Sequence, residues 1–238
     1  ALIFTALLDS YIEAHYPSIL AGTHYAVLSS GPTQDYSASP LTFLSNVIFL
    51  QNILTPVFGS NGPLWTLANL FWYYMIFPLL MITVGYISAE RSKRVIAFFA
   101  LLLIAALIVP SIFEGFIVWL FGAFVYACYD RWPVGAHKGF LLAAFMLFLF
   151  SLIDSKAKII QGILPVSNDI IIGLSFSVFL ISLKEKNKPR QIHTLIHRIS
   201  RWLSEISYSL FLFHFPVVLL IYANYYRVQQ VIFDFNGI

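Results

Sequence analysis

The first 90 residues contain no lysine or arginine, the whole chain contains one cysteine, and charged residues make up only 11% against 59% hydrophobic. So little polar surface cannot clothe a soluble globule of 238 residues. The lone Cys128 excludes an intrachain disulfide and any multi-cysteine metal site, and its apolar surroundings read as those of a small buried hydrophobe. Sparse charge also argues against disorder and against a nucleic-acid partner. What the chain has instead is a mean hydropathy of +0.81 and 17% aromatic residues, which suits lipid tails and the interfacial belts beside them. It is a membrane protein.

The basic residues that do occur are grouped. Arg91, Lys93 and Arg94 form one cluster, and Lys184, Lys186, Lys188, Arg190, Arg198 and Arg201 form another. The positive-inside rule places both in the cytoplasm, and so at the inner membrane face of the cell. Ala1 to Leu8 is an apolar stub shorter than the roughly twenty residues a spanning helix needs, and reads as the tail of a longer helix. No charged n-region precedes it, so no signal peptide is recognisable. Val231 to Ile238 reads as the start of a further apolar segment, and the expectation is one partial transmembrane domain over residues 1–238, lacking its first helices and its C-terminal end.

Asp9 to Pro40 is polar, with turns at Gly31-Pro32 and Ser39-Pro40, and reads as an outer loop. Leu41 to Phe58 is interrupted by Asn46, Gln51, Asn52 and Pro56, and is expected to re-enter the membrane without crossing it. Six spans follow: Leu64 to Ile87, Val95 to Val109, Gly115 to Tyr129, Gly139 to Ile153, Ile170 to Leu183 and Ile206 to Tyr222. Pro110 to Glu114 and Asp154 to Asp169 are expected as outer connections, and several spans are near fifteen residues, which predicts a thinned bundle or wider boundaries. His193 to Leu203, with Leu195, Ile196, Ile199 and Leu203 at helical spacing, predicts an amphipathic helix on the inner leaflet. The fold class is all-α, a polytopic transmembrane bundle with one re-entrant segment.

Polar side chains at membrane depth are costly, so each is a functional candidate. Trp65, Asn69, Trp72, Tyr73 and Ile76 share one helical face, where the Asn69 amide serves a substrate or holds a neighbouring helix. Pro78 is expected to kink that helix. In the last span His214 shares a face with Ser207, and Pro216 leaves the Leu212 carbonyl without its usual partner. An imidazole there can exchange a proton or hold a ligand, or donate to a neighbouring helix as a structural group. Its helix offers no second ligand at metal spacing, so no metal is expected. Glu114 and Asp169 fall at outer helix ends, where solvation or capping accounts for them. Arg91, Lys93 and Arg94 either orient their span or grip the phosphates of a cytosolic cofactor. There is no phosphate loop, nucleophile elbow or paired-carboxylate motif.

Three stretches carry a resemblance. Asn61-Gly62-Pro63-Leu64-Trp65-Thr66-Leu67-Ala68-Asn69-Leu70-Phe71-Trp72-Tyr73-Tyr74 with Phe77-Pro78, then Val118-Trp119-Leu120-Phe121-Gly122, then Ile206-Ser207-Tyr208 to His214-Phe215-Pro216 resemble the membrane acyltransferase family 3. That family includes O-antigen and exopolysaccharide O-acetyltransferases. Phe49-Leu50-Gln51 also matches the usual approach to the first motif, and the likeness runs from about residue 40 to 222. Leu70 stands where the family usually has Glu, Thr66 stands for Ser, and Phe211 replaces a Tyr.

The resemblance implies transfer of an acyl group, commonly acetyl, from cytosolic acyl-CoA to a hydroxyl of a sugar or lipid-linked glycan, a polysaccharide modification. It implies no permanently bound cofactor, with acetyl-CoA as donor substrate and the bilayer and the glycan as partners. The family's base is a His on its first transmembrane helix, outside these 238 residues. Within this chain the resemblance puts Trp65, Asn69, Tyr73, Ser207 and Tyr208 at the substrate, Arg91 and Arg94 at CoA, and His214 in a second polar wall with a catalytic part. Two other readings stand beside it. A transporter or flippase normally shows paired halves, and no internal repeat is present. A degenerate member kept as a binding or scaffold subunit is favoured by Leu70 alone.

Overall fold

The computed structural model describes residues 1–20, 36–108, 110–129, 138–159, 167–183 and 194–236. The Gly31-Pro32 turn, Asp130 and Arg131, the middle of the Asp154 to Asp169 connection, the Lys184 to Arg190 cluster and His193 lie outside the described residues. The elements described are helices, and the chain divides into two compact units: Ala1–Leu107 with His193–Ile238, and Ile108–Ile192.

The first unit opens with α1 (Leu2–His15) and a short α2 (Pro17–Leu20). Ile12, Tyr16, Ile19 and Leu20 bury against Leu219 and Ala223 of the last helix, and the Tyr16 hydroxyl donates to Asn224 Oδ1 at 2.7 Å. Towards its start the buried side of α1 turns polar, at Thr5 and Asp9.

Helix α3 (Pro40–Val47) starts where Ser39 Oγ accepts the Thr42 amide and Pro40 occupies the first turn. Eight residues rise only about 12 Å, well short of a bilayer. The chain then reverses through Phe49 and Asn52, both in the left-handed region (φ 59° and 67°). Asn46 fastens the returning strand of chain: its Nδ2 donates to the carbonyls of Thr42 and Pro56, and its Oδ1 accepts the Phe58 amide. The segment that interrupted apolar pattern marked as re-entrant does turn back.

A 3₁₀ turn (Gly62–Leu64) leads into α4 (Trp65–Thr83), whose buried face is Ala68, Asn69, Tyr73 and Ile76. The helix continues through Pro78. Gly85, at φ +80°, makes the turn into α5 (Arg91–Leu107), which packs back on α4. The unit closes with α9 (Thr194–Asn236), 43 residues and about 65 Å long, twice the hydrocarbon thickness. The amphipathic stretch expected to lie apart on the leaflet is therefore continuous with the span, because no Gly or Pro interrupts the chain between Thr194 and Phe215.

The second unit consists of α6 (Pro110–Tyr129), α7 (Lys138–Ala157) and α8 (Asn168–Ser182), with α8 packed against both others. Pro110, expected in a turn, instead begins α6, since its fixed φ suits a first helical turn and its missing N–H costs nothing there. Gly173 lets α8 meet α6: a Cβ there would lie 2.9 Å from Val118 and 3.1 Å from Phe121. On the α7 side Ser151 and Ser175 share a hydrogen bond at 2.8 Å, and Phe148 lies parallel to Phe179 at 6.0 Å.

Four helical stretches are long and apolar enough to cross a membrane: Gly62–Thr83, Pro110–Cys128, Lys138–Ala157 and His197–Tyr225. Spans that looked near fifteen residues gain a turn at one or both ends. Large exposed apolar side chains such as Ile96, Phe99, Leu103, Leu142 and Ile153 are what lipid-facing surfaces require.

Candidate functional site

Within the first unit four pieces of chain converge: the start of α1, the re-entrant turn, the Gly59 to Leu64 loop and the middle of α9. The loop wraps around Asp9. Its Ser60 amide donates to Asp9 Oδ2 at 2.7 Å and its Ser60 hydroxyl to Asp9 Oδ1. Gly59 sits at φ +62°, and a Cβ there would collide with the Asp9 carboxylate, so the loop can close only on glycine. Burial holds the Asp9 carboxyl above the ordinary carboxylate range, and Glu13 pushes the same way, while the Ser60 donors pull it down.

Asn61 continues the network. Its Nδ2 donates to Thr5 Oγ1 at 3.0 Å and to the Leu212 carbonyl at 2.9 Å. That carbonyl is the one Pro216 leaves unpaired, so the kinkable point of α9 is tied to the loop ahead of α4. Asn61 is fully buried and its Oδ1 has no hydrogen-bond partner.

Beside this network lies a groove of about 450 Å³, lined mainly by Ile3, Val47, Phe49, Leu67 and Leu212, with Asn46 and Gln51 contributing polar groups. Gln51 Nε2 donates to the Leu64 carbonyl at 3.1 Å, while its Oε1 is buried without a hydrogen-bond partner. The turn carrying Gln51 is clamped from α4: the Trp72 indole donates to the Phe49 carbonyl at 3.0 Å and Phe71 stacks on Phe49 at 4.7 Å.

The residues singled out from sequence fall in separate places. Asn69 and Tyr73 share the buried face of α4 and bond to each other, with Trp65 half-buried a turn earlier. Trp72, from the same helix, is committed to the re-entrant turn. His214 is half-buried, and its Nδ1 lies 2.7 Å from the Phe211 carbonyl of its own helix. Ser207, two turns before it, is exposed and donates to the Ser204 carbonyl, so the two do not touch. Tyr208 is exposed. Arg91 and Arg94 are exposed at the start of α5, Arg94 with its guanidinium against Gly85. Among the described residues no cluster of His, Cys, Asp and Glu could hold a metal ion.

Asp9, Ser60 and Gln51 were not singled out. Asp9 looked like the first residue of an aqueous loop, and Gln51 like one interruption among four. A signal did exist: an acidic residue in a region free of lysine and arginine, facing a Gly-Ser-Asn-Gly run rich in backbone donors.

A family model described as an acyltransferase domain matches residues 3–235. No curated protein and no solved structure matches the chain.

Proposed function

We propose, from the premise that the chain belongs to this membrane acyltransferase family, that it moves an acyl group, in the first instance acetyl, from cytosolic acyl-CoA to a hydroxyl of a sugar or cell-surface glycan at the plasma or inner membrane. The observation that carries this reading is the extent of the family match, from α1 through α9. The joint between the first and last motif stretches, Asn61 to the Leu212 carbonyl, supports it, because it brings both to one buried network.

The acceptor hydroxyl gives its proton to a histidine base and attacks the thioester carbonyl. The new C–O bond forms, the C–S bond breaks, and CoA leaves as its thiol after taking a proton. The resemblance assigns the main base to a residue outside these 238. Within the chain, Trp65, Asn69 and Tyr73 line the substrate's path, with Ser207 and Tyr208 along the α9 side. Arg91 and Arg94 stand free at one end of α5, as phosphate contacts for CoA require. His214 supplies an imidazole N–H or lone pair to the developing oxyanion or the acceptor.

The reading is tested by following label from acyl-CoA into glycan or lipid in membranes carrying the full encoded chain. Transfer above that of membranes without it supports the proposal. No transfer from acetyl-CoA or from longer acyl-CoA donors refutes it.

A further inference from the structure

The groove beside the re-entrant turn has a shape and chemistry that acetyl transfer to a soluble sugar leaves unused. Its volume of about 450 Å³ falls in the range of small-molecule sites, roughly 300–1,000 Å³, and an acetyl group would occupy a small corner of it. None of the side chains that line it is charged. One of them carries an unmet demand: Gln51, 1% exposed, spends its Nε2 on the Leu64 carbonyl and leaves Oε1 without a donor. The other amide in the wall, Asn46, is already committed to Thr42, Pro56 and Phe58.

That inventory selects the occupant. A lone water needs two to four polar partners, and the groove offers one acceptor in an apolar wall. An ionic headgroup finds no counter-charge. A chain that is apolar along its length and bears one hydroxyl meets both requirements: hydrocarbon against Ile3, Val47, Leu67 and Leu212, and the O–H directed at Gln51 Oε1. Gln51 is held for this by a turn clamped through Trp72 and Phe71.

We infer that the groove seats the apolar chain of a membrane-resident alcohol whose hydroxyl donates to Gln51 Oε1, and that this alcohol is the acyl acceptor. The second half rests on the acyltransferase reading; the first does not. Gln51 then orients the acceptor, and the acceptor arrives from the bilayer.

The test uses the full encoded chain in lipid nanodiscs and two photoreactive probes, a diazirine-bearing dodecanol and the matching dodecane, with attachment sites mapped by mass spectrometry. The alcohol is expected to label the Val47 to Leu67 region in preference to the alkane. Gln51→Leu should cut labelling by the alcohol about tenfold and leave that by the alkane, which also reports an intact groove. Leu67→Trp, which fills the groove, should lower both. Equal labelling by the two probes, or alcohol labelling indifferent to Gln51→Leu, overturns the site. If Gln51→Leu abolishes alkane labelling as well, native preference and Leu67→Trp decide: no preference, or no loss on filling the groove, overturns it. Labelling as expected in a preparation that transfers no acyl group keeps the lipid site and removes the acyltransferase reading.

Discussion

The Asn61 amide donates at 2.9 Å to the carbonyl of Leu212, the group that Pro216 deprives of its helical partner. One hydrogen bond thereby makes a proline tolerable in the middle of a long apolar helix and fixes the loop that leads into α4. Asn61→Ala should destabilise the protein by about 1–3 kcal/mol, since it leaves a buried carbonyl unpaired. Pro216→Ala restores the helical N–H and should recover part of that loss. A double-mutant cycle on detergent-solubilised protein checks this, and additive effects would contradict it.

Asp9 predicts a pH dependence. Its folded-state pKa lies above the ordinary 3.8 because burial penalises the charged form. Its contribution to stability is therefore complete below that ordinary value and is lost as pH rises through the raised one. Compared with Asp9→Asn, the native protein should have its relative advantage at acid pH and give it up towards neutrality. Thermal unfolding of both across this interval is the measurement, and parallel curves would refute the prediction.

The fold was legible because long apolar runs with few charges admit little but spanning helices, and because Asn46, Gln51, Asn52 and Pro56 break one run at a spacing no full span tolerates. Boundaries were less so. Pro110 looked like a turn and begins a helix, and the basic amphipathic stretch before Ile206 joins the span instead of lying apart. The site was legible in one dimension only. A helical face gathers Asn69 and Tyr73, but the groove is built by residues as far apart as Ile3 and Leu212, and no local pattern pairs Asp9 with Ser60. His214 and Ser207 share a face seven residues apart, yet each bonds its own helix.

Gly173 is the contact point of α8 on α6. Gly173→Ala should cost about 1–3 kcal/mol, because Val118 and Phe121 stand within van der Waals distance of the added methyl. A lowered Tm in detergent is the expected result; Val118→Ala in the same chain should relieve part of it.

His214→Ala tests the last motif. Because the ring bonds only the backbone a turn before it among the hydrogen bonds described, its loss should leave the unfolding temperature within a few degrees. Acyl transfer should fall at least tenfold, as removal of a group that touches the reacting atoms does. Unchanged transfer at equal expression would make His214 a structural residue.

Acyl transfer itself is the claim on which the rest depends, and Leu70, in place of the family's usual Glu, is the residue most able to undo it. The decisive measurement is transfer of labelled acetyl from acetyl-CoA to glycan in membranes carrying the full encoded chain, run beside its Leu70→Glu variant. Label with the native Leu70 is the predicted result and makes the carboxylate dispensable. Label only with Leu70→Glu would mark a decayed enzyme, and label with neither would contradict the account.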